Sequence, residues 1–146
     1  MVDEQRLRQS FGYMTARVAS EMRLSLDRVL APHGITGQQW VILTRCGLPG
    51  DISPAELAEA LHITPSAVTK LLDRLETSKL VKRKRSKSDR RSLSVQVTEN
   101  GQKLLQKLPP VVKKVNDSFT AGFSDEDKKQ LLGLLNRLLA NTSSAP

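Results

Sequence analysis

The sequence predicts a mainly α-helical fold with one small β-hairpin. Three observations carry this. Apolar residues recur at three- and four-residue steps along most of the chain. Helix-start signals precede nearly every such run. One segment, Leu93 to Val97, changes to a period of two, with Leu93, Val95 and Val97 alternating with Ser94 and Gln96.

Leu7, Phe11, Met14, Val18, Met22, Leu26 and Val29 lie on one stripe, so the N-terminal segment reads as one long helix closed by Pro32 and Gly34. Thr36 with Gln39 forms a capping-box pattern for a short second helix carrying Trp40, Val41, Leu43 and Leu48. Gly47, Pro49 and Gly50 end it. Ser53, Pro54 and Glu56 open a third helix with Leu57, Ala58 and Leu61 inward, and His62-Ile63 makes a tight connection. Thr64-Pro65 starts a fourth, running to about Lys79. There Val68, Leu71, Leu72 and Leu75 form the apolar face, and Ser66, Thr69, Lys70, Asp73 and Arg74 lie mostly opposite.

Leu80-Val81 begins a strand that opposes Leu93 to Val97, with a hydrophilic tip from Lys82 to Ser92. Thr98 caps the next helix, with Leu104, Leu105 and Leu108 inward. Pro109-Pro110 interrupts it, because proline removes a helix hydrogen bond and clashes with the preceding turn. Val111, Val112, Val115 and Phe119 resume the pattern. Ser124 with Asp127 opens the last helix, where Leu131, Leu132, Leu134, Leu135, Leu138 and Leu139 make a wide apolar face. Residues from Asn141 onward read as a disordered tail.

Charge is concentrated in one place. The 146-residue chain carries 23 Lys and Arg against 15 Asp and Glu, a net charge of +8. Between Lys79 and Arg91 there are eight basic residues and one acid, Asp89, so that segment holds +7 and the remainder only +1. Such a balance implies a polyanionic partner, nucleic acid before an anionic membrane. A charge run is also what a solvated face or flexible tail looks like. Here strand patterns bracket it and hold it out as a ribbon. Two short helices joined by a tight turn suggest a helix-turn-helix, although a plain helical bundle offers the same hairpin. With a basic ribbon directly behind the second helix, both elements can address one duplex: the helix in the major groove, the tip in the adjacent minor groove, where narrow geometry attracts arginine.

The stretch Ile35-Thr36-Gly37-Gln38-Gln39-Trp40, then Leu57-Ala58-Glu59, Val68 through Glu76, Leu80-Val81-Lys82-Arg83, Ser88-Asp89-Arg90-Arg91 and Val97-Thr98-Glu99-Asn100-Gly101 resembles the MarR family. The resemblance spans about residues 5 to 140 and is most specific from Val68 to Gly101. It implies a dimeric transcriptional regulator, most often a repressor, that binds a pseudo-palindromic double-stranded DNA operator and is released in many members by a small phenolic or lipophilic effector. It implies a winged helix-turn-helix lobe at 35–101, dimerisation helices at 1–34 and 102–141, and a flexible tail at 142–146. Thr64, Pro65, Ser66, Thr69, Lys70 and Arg74 become the recognition-helix contacts. Arg83, Arg85, Lys87, Asp89, Arg90 and Arg91 become the wing contacts, with Arg91 entering the minor groove and Asp89 orienting it. Phe11, Met14, Arg17 and Trp40 are candidates to line an effector pocket between the dimer helices and the lobe; a residue of each kind is more often plain core. Pro109-Pro110 departs from the family's long fifth helix and puts its usual recognition-helix spacing in doubt.

Other chemistries find less support. Cys46 is the one cysteine, so no internal disulfide or cysteine-based zinc site forms within one chain. Arg45 beside it could lower its pKa, but the peroxide-sensing members this chain resembles carry their cysteine near the start of the first helix, where Phe11, Tyr13 and Met14 stand. His33 and His62 are the two histidines and show no metal-ligand spacing. No nucleophile–base pairing or phosphate-binding glycine loop is visible, so neither an enzyme nor a cofactor is expected. No apolar run approaches the ~20 residues of a membrane span, and a cytoplasmic location is expected. The competing class is an architectural or RNA-contacting winged-helix protein without ligand control. RNA binders more often expose stacking aromatics, and the basic segment has none.

Overall fold

A computed structural model describes residues 4–85 and 93–142. The elements run α1 (Glu4–Arg8), α2 (Phe11–Leu30), a 3-10 turn (Ala31–His33), α3 (Gly37–Cys46), α4 (Pro54–Leu61), α5 (Pro65–Thr77), β1 (Val81–Arg85), β2 (Leu93–Val97), α6 (Glu99–Lys107), α7 (Pro109–Phe119) and α8 (Asp125–Thr142). The mainly helical reading with one antiparallel hairpin holds. The chain divides into two compact units, residues 1–112 and 113–146.

The capping residues sit where the sequence places them. Thr36 and Gln39 bond each other's backbone N–H groups at 3.3 and 2.8 Å. Ser53 and Glu56 do the same at 3.2 and 2.7 Å. Thr64 accepts from the Ala67 N–H and Thr98 from the Gly101 N–H. Each cap satisfies a donor that the first helical turn leaves unpaired, worth about 1 kcal/mol.

The N-terminal segment is two helices, where the apolar stripe predicts one. Ser10 takes an extended conformation and its hydroxyl accepts the Tyr13 N–H, so α2 starts afresh at Phe11. A serine cap competes with helix continuation, and the side-chain stripe alone does not register it. Asp27 supplies a link between helices: its Oδ1 accepts the Gly37 N–H at 2.6 Å, placing a carboxylate at the positive end of α3. At the other chain end the last helix continues through Asn141 to Thr142, past the expected boundary.

The core of the first unit gathers the inward faces of α3, α4, α5 and the hairpin, with Leu30 from the end of α2. Leu30, Ile42, Leu43, Leu57, Val68, Leu72 and Leu75 are fully buried, with Val81 and Val95 from the hairpin and Leu108 from the end of α6. α5 lies central, packing on α3, α4 and β1. Leu108 ends α6, and α7 begins at Pro109, whose missing N–H is no loss at a helix start. The interruption at Pro109-Pro110 is therefore observed. In the second unit, Ser124 and Asp127 form a reciprocal cap at 2.8 and 3.1 Å. The six α8 leucines are 37–62% exposed.

The hairpin departs from simple alternation. Val95 is buried, but Leu93 is 49% exposed and Ser94 only 1%. Leu93 pairs with Arg85 at the outer end of the ladder. Ser94 and Val95 lie further along the ladder, where Ile52 bridges β2, and both are buried there.

Gly101 fixes how the hairpin returns to α6. A Cβ there would press into the Leu80 carbonyl oxygen and lie 2.6 Å from Val97 Cγ1. Gly101→Ala should therefore destabilise by about 1–3 kcal/mol through overpacking. Helix propensity alone predicts a gain of about 0.5–1 kcal/mol. Urea melts of the two proteins decide the sign.

Candidate nucleic-acid interface

α4 and α5 form the helix-turn-helix. His62 closes α4 in the left-handed conformation (φ 50°), and Thr64 caps α5 two residues later. On α5, Val68, Leu71, Leu72 and Leu75 are buried. Thr64, Pro65, Ser66, Thr69, Lys70 and Arg74 are all exposed. The structure thus brings the six predicted recognition-helix residues onto the solvent side of one helix, with short side chains toward its N-terminus and cations further along.

The hairpin stands beside this helix. Its register pairs Val81 with Val97, Arg83 with Val95 and Arg85 with Leu93. The Thr98 N–H reaches the Leu80 carbonyl at 3.0 Å. Hydrogen-bonded pairs therefore fall, by alternation, at Lys82/Gln96 and Lys84/Ser94, and Arg83/Val95 is a pair whose N–H groups point away from the ribbon. Both are taken by the lobe. The Val95 N–H donates to the Ile52 carbonyl at 2.9 Å. The Arg83 N–H donates to Glu76 Oε1 at 3.0 Å.

The Arg83 side chain strengthens the second anchor. Its guanidinium donates to Glu76 Oε2 and Asp73 Oδ1, each at 2.6 Å, and to the Thr69 carbonyl at 3.3 Å. The acceptors lie at positions i, i+4 and i+7 along α5, one continuous stripe. Arg83 is only 21% exposed, against 59% for Asp73 and 40% for Glu76. Desolvation works against the guanidinium charge, but the bonds to the two carboxylates outweigh it and hold the Arg83 pKa above its ordinary value. The Arg83 backbone N–H, aided by its side chain, holds the Glu76 pKa below its ordinary value of 4.5.

Of the predicted wing residues, Arg83 is thus engaged by α5, and Arg85 is exposed at the outer end of β1. Lys87, Asp89, Arg90 and Arg91 lie outside the described residues. The sequence reading missed Asp73 and Glu76 as partners of Arg83, and Ile52 as a partner of the wing. The signal was two carboxylates on one helix stripe, followed by an arginine on the next strand.

The proposed effector residues occupy different environments. Trp40 is a core side chain at 8% exposure, while Phe11 is 84% exposed, and Met14 and Arg17 are also exposed. Cys46 is buried, and burial pushes its thiol up to about 11, so the reactive thiolate is scarce at neutral pH. Among the described residues no group of three or more His, Cys, Asp or Glu could hold a metal ion. No helix among them is long and apolar enough to cross a membrane.

Fold and site together define a winged helix-turn-helix protein of the transcriptional-regulator type. Residues 35–93 match the model of the MarR family, the family whose motifs the sequence resembles. The whole fold is similar to that of MepR from S. aureus in its DNA complex, at 24% identity and TM-score 0.81, covering 90% of this chain and 98% of that one. A probable transcriptional regulator from Pseudomonas aeruginosa matches at 24% identity and TM-score 0.82, covering 91% and 99%. Apo wild-type MarR from E. coli matches at 25% identity and TM-score 0.74, covering 89% and 97%.

The Glu76 anchor predicts a pH dependence. A carboxylate with a lowered folded-state pKa stabilises fully above its unfolded value, and that stability is lost as pH falls through the folded value. At pH 7 the wild type should be more stable than Glu76→Gln. The gap should shrink as pH drops below 4.5 and close once Glu76 is protonated in both states. Denaturant melts across pH 2–7 check this.

Proposed function

We propose that this protein is a sequence-specific, double-stranded DNA-binding transcriptional regulator that acts as a homodimer on a pseudo-palindromic operator, most simply as a repressor. The observation that carries the reading is the α5 surface. Six exposed, short or cationic residues share one side of a capped helix, and a strongly basic hairpin is fastened to that same helix. Thr64, Pro65, Ser66 and Thr69 let the backbone approach base edges, and Lys70 and Arg74 reach phosphates. The basic tip, with Arg91 foremost, enters the flanking minor groove.

The DNA complex formed by the similar S. aureus MepR supports this reading. The exposed leucines of α8 support the dimer, since a face this apolar is seldom left to water. Under the same reading the helices 1–34 and 102–141 serve mainly the dimer, and 35–101 is the DNA-binding lobe. A small lipophilic or phenolic effector relieves binding from a site including Phe11, Met14, Arg17 and Trp40, completed by the second copy. The role is non-catalytic, needs no cofactor and belongs in the cytoplasm.

Selection from a random duplex pool, followed by fluorescence anisotropy across a salt series, tests it. Selected sites should be inverted repeats with half-sites about one helical turn apart. Affinity should fall steeply with salt, with a log–log slope near −0.9 per phosphate neutralised. Arg91→Ala should lose about 1–3 kcal/mol per wing, and Arg74→Ala should flatten the slope by about one. Equal affinity for every duplex, with no enriched motif, would replace the operator by an architectural role.

A further inference from the structure

We propose that Arg83 is a positioning residue: it locks the wing to the recognition helix and so sets where the wing tip meets DNA, without itself contacting the duplex. The proposal rests on the DNA-binding reading above.

Three observations support it. The guanidinium is mostly covered and already donates to three acceptors on α5, Glu76, Asp73 and the Thr69 carbonyl. Moving it to a phosphate would strip two carboxylates of their cation close to a polyanion. The backbone N–H of the same residue is held by Glu76, so main chain and side chain of Arg83 fix one point of β1 to one stripe of α5. Finally, Asp73 and Glu76 have no evident place on a DNA-binding helix except here. Two free carboxylates there would repel DNA; with Arg83 across them they become part of a brace. The arrangement needs arginine, because only its planar fork can serve two carboxylates and a carbonyl at once.

The two roles predict opposite signs for one experiment. Binding is measured on the selected site and on an unrelated duplex, at a temperature where every variant is folded by circular dichroism. If Arg83 were a phosphate contact, the isosteric double variant Asp73→Asn, Glu76→Gln would free it and remove two repulsive charges, so specific binding would tighten. Under the brace, that variant binds the selected site at least about threefold more weakly, as expected when residues of one shared ionic network are uncoupled. Its affinity for the unrelated duplex rises instead, because that term follows net charge. Arg83→Lys should resemble Arg83→Ala on the selected site, since an ammonium keeps the charge but not the fork. The losses from Arg83→Ala and from the double variant should not add.

The proposal is overturned if the double variant binds its selected site as tightly as wild type or tighter while Arg83→Ala weakens binding, or if Arg83→Lys restores full affinity. A wild type that binds no duplex would overturn the DNA-binding reading itself, and the proposal with it.

Discussion

A two-stranded ribbon is marginal in water and has little reason to hold one direction. In this protein the ribbon is held at both edges, at a single register position. Val95 on β2 gives its outward N–H to Ile52, and Arg83 on β1 gives its outward N–H to Glu76. The side chain of Arg83 then spans from the strand to Asp73 on the helix. Antiparallel pairing creates this opportunity, because every second residue pair leaves two N–H groups facing outward. Bonding them to the lobe converts a sheet edge into a mount. The ribbon is therefore fastened to α5 through Arg83.

The rest of the lobe serves to hold α5 still. Its four inward residues meet α3, α4 and β1, and separate caps fix the start of each helix around it. Gly101 lets α6 close against Leu80 directly behind the ribbon. The charges on the outer surface are consequently carried by a packed frame. Preorganisation of this kind spares a complex the entropy of ordering a loose segment on binding.

Much of this was legible in the sequence because it is local. Thr36 with Gln39, Ser53 with Glu56, Ser124 with Asp127, and the lone caps Thr64 and Thr98 all act within four residues. The inward set of α5 follows from helical spacing, and the family's winged lobe is visible in contiguous motifs. What escaped is non-local or set by competition. Arg83 meets partners seven, ten and fourteen residues away, and Asp73 and Glu76 read as surface charges until the strand is folded back. The Ile52 bond depends on a loop with no strand pattern. Ser10 breaks a helix that its side-chain stripe alone would continue, and Ser94 is buried next to the Ile52–Val95 bridge, which alternation along the strand does not announce.

Hydrogen exchange at the Arg83 and Val95 amides, followed residue by residue in the full chain, tests the double mount most directly. Both N–H groups point off the ribbon and would exchange freely in an unsupported hairpin. Held by the lobe, both should be strongly protected, and Glu76→Ala should expose Arg83 while leaving Val95 protected. If the wild-type Arg83 amide exchanges as fast as an unpaired one, the ribbon is not fastened to α5.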